Sequence, residues 1–259
     1  MVIVKYFLLL FVFIVGCTSS GVETEVYSDT EEQTVLNYTE VGNLHQIKSA
    51  KMRRKAIKRI MASSVSIQVE VDLGGHGPPG LILNTIGSGT LIKHKGNTFV
   101  ITARHVALAQ TPNPKRYACS TVTEHCTLLS DSMLIELELR PSLSKDFALY
   151  LVDKPLRGTF PTVISDKDPF IGDPIWISGM PWGHHPWISG GTIAWLFGQD
   201  KDRLLGIDSF AASGSSGGGV FNTSGQLIGI TVAIEVSPLL GPQVNQVLAV
   251  PIKNIWVLD

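Results

Sequence analysis

The spacing of apolar positions changes character along the chain. Tyr6 to Val15 is an unbroken apolar run after Lys5. Residues 18–43 are polar and acidic, with Glu23, Glu25, Asp29, Glu31, Glu32 and Glu40, a pattern that predicts a solvated tether. Over 44–61 the apolar residues Leu44, Ile47, Ile57, Ile60 and Met61 return at helical spacing, which predicts a helix. From Ser63 onward the pattern is one of short runs such as "SVSIQVEV", "FVITA", "FALYLV", "PIWISG", "GQLIGITVAI" and "QVLAVPI", separated by turn residues. Short runs punctuated in this way predict antiparallel sandwiches or barrels. Helices do not alternate with these strands, which argues against a parallel α/β sheet.

Composition agrees with this picture. The 259 residues are 44% hydrophobic and 17% charged, with a formal net charge of -1. Those values exclude a disordered chain and a protein that coats nucleic acid. The 25 glycines and 14 prolines supply the turns that an all-β fold needs. Charge is uneven, however: Lys48, Lys51, Arg53, Arg54, Lys55, Lys58 and Arg59 fall within the predicted helix. A solvated helix face is the first reading, and attraction to anionic lipid the second.

The first 17 residues read as an export signal. Ten apolar residues are too short for a membrane-spanning helix and match the h-region of a secretory signal. The stretch Ile14-Val15-Gly16-Cys17 resembles the bacterial lipobox, which implies lipidation of Cys17 and a place in the periplasm or cell envelope. Ordinary signal cleavage, or an uncleaved anchor in which Cys17 is incidental, is the alternative. In an oxidising compartment Cys119 and Cys126 are candidates for a small-loop disulfide. With His125 they would leave a tetrahedral zinc one ligand short, so no metal is expected.

Candidate chemistry centres on "SGSSGGGVF", Ser213 to Phe221. The letters fit the G-x-S-x-G nucleophile elbow, but that elbow needs a later histidine, and the last histidine is His185. The remaining order is His–Asp–Ser: His105 ends the strand-like "FVITARHVA", Asp146 opens "SKDFALYLV", and the Gly/Ser loop follows.

In these contexts the chain resembles the chymotrypsin/trypsin-like serine proteases, most closely the HtrA-type branch. The segments that carry the resemblance are "GSGTLI", "ITARHV", "DFALYLV", "IGDPIWISGMPWG", "DSFAASGSSGGGVFNTSGQLIGITVAI" and "LAVPIKNI". The resemblance implies two antiparallel Greek-key β-barrels, over 62–158 and 159–259, the second ending in a short helix. It implies a serine endopeptidase acting on protein or peptide substrates without cofactor, and leaves the oligomer open. The family pattern Gly-x-Ser-Gly-Gly assigns Ser216 as nucleophile, beside His105 and Asp146, with backbone N–H groups of Gly214 and Ser216 as oxyanion hole. Choosing Ser215 instead would require glycine at 213 and 216. Phe210, Ala211, Thr231 and Ile234 would line the specificity pocket, with Phe210 partly filling it and favouring aliphatic side chains. The branch's usual C-terminal PDZ domain is not expected before the end at Asp259. A catalytically inactive binding module of the same fold is the alternative function.

Overall fold

A computed structural model describes residues 49–72, 82–107, 115–121, 123, 125–129, 133–134, 143–154, 156–183, 186–237 and 241–255. The export signal with Cys17, the tether 18–43 and the first residues of the predicted helix lie outside them. Helix α1 covers 49–63. It runs two residues past the predicted end because two serine hydroxyls close it. Ser63 Oγ and Ser64 Oγ both donate to the carbonyl of Ile60, at 3.0 and 2.8 Å.

The chain then enters a seven-stranded sheet. Its strands are β1 (Ser64–Asp72), β2 (Ile82–His94), β3 (Asn97–Thr102), β4 (Lys115–Ser120), β5 (Cys126–Leu128), β6 (Met133–Leu134) and β7 (Ala148–Leu151). Helix α2 (Arg104–Ala107) follows β3 at once. Spatial order is β5-β4-β1-β2-β3-β7-β6, with every pair antiparallel. Among the described residues this sheet is open, with β5 and β6 at its edges. Cys119 and Cys126 pair across β4 and β5 and are joined as a disulfide.

The second sheet closes into a barrel of β8 (Pro174–Gly179), β9 (Trp187–Phe197), β10 (Leu204–Asp208), β11 (Gly219–Asn222), β12 (Leu227–Ser237) and β13 (Gly241–Pro251). Helix α3 (Ile252–Ile255) completes the described chain. Single parallel bridges, Ile92 to Thr162 and Ile164 to Leu227, stitch the connecting segment to both sheets.

β1 alternates polar and apolar side chains, whereas β3 and β7, in the interior of the sheet, are buried on both faces along part of their length. Val65, Ile67, Leu91, Val100, Ile101 and Tyr150 of the first sheet are buried. They share one core with Phe221, Leu227, Ile230 and Val250 of the second, and with Ile60 of α1. A smaller core of Ile175, Ile177, Ile193, Leu205, Ile207 and Val247 fills the second barrel alone. Because the larger core belongs to both sheets, the loops at their junction are held in a fixed relation.

Candidate active site

His105 sits in α2, one turn beyond the end of β3. Val106 and Ala107 are buried beneath it, whereas His105 itself is exposed. Asp146 lies just before β7, the strand paired to β3, so the sheet brings the two residues together. Asp146 Oδ2 stands 2.6 Å from His105 Nδ1, and Asp146 Oδ1 accepts the backbone N–H of His105 at 2.9 Å. Both carboxylate oxygens therefore engage the same histidine. The ring's orientation is fixed while Nε2 remains available. The Asp146 side chain is 11% exposed and that of His105 49%, a shielded carboxyl group beneath an accessible ring.

The Gly/Ser loop 213–218 is the last part of the connection from β10 to β11, and the first sheet grips it. Ser88 of β2 donates its N–H to the carbonyl of Ser216 at 2.8 Å, and its hydroxyl to the carbonyl of Gly214 at 2.7 Å. The same hydroxyl accepts the N–H of Met180 at 2.8 Å. Thr102 Oγ1 in turn donates to the Ser88 carbonyl at 2.6 Å. Gly217, at φ +84°, sits where a Cβ would run into Ser88, Thr102 and Ala103. Only a glycine allows the loop this close to the strand that leads to His105.

The twin serines have different surroundings. Ser215 is buried at 4% exposure, and its Oγ accepts the Ala212 N–H at 3.3 Å. Ser216 is half-buried. Its Oγ makes no hydrogen bond to His105 among the described residues; in substrate-free sites such contacts are often open and tighten on binding.

The two peptide groups preceding Gly214 and Ser216 are each held by their carbonyl. Trp182 N–H donates to Ser213 O at 2.6 Å. Thr231 Oγ1 donates to Ser215 O at 2.6 Å, and Gly218 N–H does so at 2.9 Å. In a trans peptide the N–H points opposite the carbonyl. Fixing the two carbonyls thus aims the N–H groups of Gly214 and Ser216 away from their holders. Neither N–H makes a hydrogen bond among the described residues. Gly214 has φ +94°, and a Cβ there would collide with the Met180 carbonyl, so the position demands glycine.

Beside the loop lies a cavity of about 230 Å³ lined by Ala211, Ala212, Ser216, Thr231, Ala233 and Ile234, among others. Phe210 is not part of its lining. Its ring packs instead against Trp182 and Trp187, with centroids 5.9 and 5.6 Å away. The expectation that Phe210 partly fills the cavity is therefore corrected: two tryptophans beside it offer the ring a larger aromatic surface. Sequence reasoning missed Ser88 and Trp182. A serine between two glycines on a buried strand was the available signal for Ser88. Trp182 owes its role to its backbone N–H, at φ +56°, and carried no side-chain signature.

Among the described residues no group of His, Cys, Asp and Glu could hold a metal ion. No helix of the described residues is long and apolar enough to cross a membrane.

The family model for the trypsin-like peptidase domain matches residues 87–230, more than half of the chain. The chain belongs to this family. The match runs from the strand that bears Ser88 through His105, Asp146 and Ser216 to β12. Among curated relatives, a probable periplasmic serine endoprotease DegP-like protein of Rhizobium meliloti is 28% identical over 171 residues. That alignment covers 64% of this chain and 31% of the relative, so the chain spans about a third of the relative's length. Solved structures of similar fold include a serine endoprotease from Yersinia pestis, with TM-score 0.57 and 20% identity, covering 78% of this chain and 62% of that one. The HtrA-type protease AlgW with a decapeptide gives 0.59 and 20%, covering 80% and 66%. This trypsin-like peptidase domain thus has the chymotrypsin-like HtrA fold, with the second sheet a closed barrel and the first, among the described residues, an open sheet rather than the expected closed barrel.

Proposed function

We propose that the chain is a serine endopeptidase in which Ser216, His105 and Asp146 act as a triad. Ser216 Oγ attacks the carbonyl carbon of the scissile peptide as His105 Nε2 takes its proton. Asp146 keeps the proton of the histidine on Nδ1 and stabilises the imidazolium. The tetrahedral oxyanion is received by the N–H groups of Gly214 and Ser216. Collapse expels the amine, protonated by His105, and leaves an ester on Ser216, which water hydrolyses by the reverse proton path. The observation that carries this reading is the pair of unengaged N–H groups, each aimed by a held carbonyl, beside an accessible serine. One such donor is worth about 2.7–4 kcal/mol of transition-state stabilisation. Ser215 is a poor nucleophile here because its hydroxyl is buried and engaged.

The cavity beside Ser216 takes the side chain that precedes the scissile bond. The methyl groups of Ala211 and Ala233, with Ile234, suit small or medium aliphatic side chains. Lysine and arginine would find no carboxylate among the described lining residues. The natural setting is an exported enzyme of the periplasm or cell envelope, held to the membrane by its N-terminal segment and lipidated at Cys17. The apolar run before Gly16-Cys17, the Cys119–Cys126 disulfide and the periplasmic description of the Rhizobium meliloti relative support it.

Hydrolysis of fluorogenic peptides by single variants tests the catalytic assignment. Ser216→Ala and His105→Ala should each lower kcat by about ten-thousandfold or more, and Ser215→Ala should leave measurable turnover. Undiminished hydrolysis by Ser216→Ala would end the proposal, and absence of hydrolysis by the unaltered protein would favour a binding module.

A further inference from the structure

Helix α1 presents two different faces. Ala56, Ile60 and Ser63 are buried, and Ile57 packs against the shared core. Arg59 Nη1 reaches the carbonyl of Ser224 at 3.0 Å, fastening the helix to the turn between β11 and β12. With 3.6 residues per turn, Lys51, Arg54, Lys55 and Lys58 fall within an arc of about 100° centred opposite the Ala56–Ile60 edge. All four are exposed, and so is Arg53, which lies outside that arc on the side of Ile60. None of the five is paired with a carboxylate among the described residues. The sequence has no Asp or Glu between Glu40 and Glu70, so the helix cannot neutralise itself. With a net charge of -1 for the whole chain, the remainder is acidic and the positive charge is concentrated on this face.

We propose that the face formed by Lys51, Arg54, Lys55 and Lys58 docks on anionic phospholipid headgroups. A cationic face brought within a Debye length of an anionic bilayer is drawn to it. The apolar run Tyr6–Val15 lies a few tens of residues upstream of the helix. At 3.3–3.6 Å per residue the intervening chain keeps α1 within a distance on the order of 100 Å of whatever holds that run. Met52, 68% exposed, and Met61, 39% exposed, flank the cationic arc. Such apolar side chains suit a headgroup layer better than a phosphodiester groove. Docking through this face would set the orientation of the peptidase domain at the membrane, and it does not depend on the catalytic reading.

Co-sedimentation of the full chain with phosphatidylcholine vesicles, with and without phosphatidylglycerol, tests the proposal. Binding through the N-terminal apolar segment is common to both vesicles, so the readout is the excess on the anionic ones. The unaltered chain should show that excess, and it should vanish as salt rises from about 0.05 M to about 0.5 M. The variant combining Lys51→Gln, Arg54→Gln, Lys55→Gln and Lys58→Gln should lower it about tenfold or more with an unchanged melting temperature. Arg54→Lys alone should retain it, and Lys51→Gln with Lys58→Gln should fall between, which covers the case of a misfolded fourfold variant. Equal binding to both vesicles would overturn the proposal, as would an excess that survives in the fourfold variant. A duplex oligonucleotide that displaces the vesicles with the same four-residue dependence would assign the face to nucleic acid instead.

Discussion

The side chain of Ser88 bridges two segments that must not drift apart. It accepts from Met180 and donates to Gly214, at 2.8 and 2.7 Å. Ser88→Ala leaves the part-buried N–H of Met180 and carbonyl of Gly214 without that partner, a loss of about 1 kcal/mol. The backbone bond from Ser88 to Ser216 stays, so the loop should remain in place but lose its exact set. We expect kcat on a fluorogenic peptide to fall about tenfold to a hundredfold with KM little changed. A lower melting temperature with unaltered kcat would make Ser88 a structural residue only. Gly214→Ala is harsher, because the new Cβ meets the Met180 carbonyl at a φ of +94°. Steady-state kinetics should show a loss of kcat comparable to removing an oxyanion donor, about a hundredfold or more.

Among the elements, the β4–β5 ribbon depends most on its crosslink. β5 is three residues long, at the edge of its sheet, and Leu128 is 59% exposed. The disulfide closes a short loop, which by chain entropy contributes about 2–3 kcal/mol. Cys119→Ser with Cys126→Ser should lower the denaturant midpoint accordingly, and reduction should do the same to the unaltered protein. The strands were legible in the sequence where apolar runs were dense, as in β3, β7, β8, β12 and β13. The edges were not legible: β5 and β6 are short and carry little pattern. The end of α1 was placed early because Ser63 and Ser64 read as the start of a strand, whereas their hydroxyls turn back to Ile60. His105 and Asp146 were legible because each sits at the end of a strong strand. The holder Trp182 was not, since a backbone hydrogen bond leaves no trace in residue type, and Ser88 was missed because a lone serine between two glycines does not say what its hydroxyl will meet. Phe210 was misplaced because sequence spacing does not say which way a loop side chain turns.

For the whole molecule the deciding feature is the core common to both sheets. Phe221 of β11 is fully buried in that core, with Ile60, Val100 and Leu149 among its members. Phe221→Ala should cost about 3–5 kcal/mol. It should shift a single cooperative transition rather than split it, because the larger core draws on both sheets and the core that the second barrel holds alone is the smaller one. Circular dichroism and tryptophan fluorescence should report the same midpoint; two separated midpoints would contradict a shared core. The same junction joins His105 and Asp146, from the first sheet, to the loop of the second, so the proposed chemistry belongs to the assembled pair of sheets. The most direct test of that chemistry is to treat the protein with a fluorophosphonate and locate the adduct by peptide mass mapping. A single adduct on Ser216, absent when His105 is replaced by alanine, is the predicted result. An adduct on Ser215, or none on the intact protein, would contradict the account.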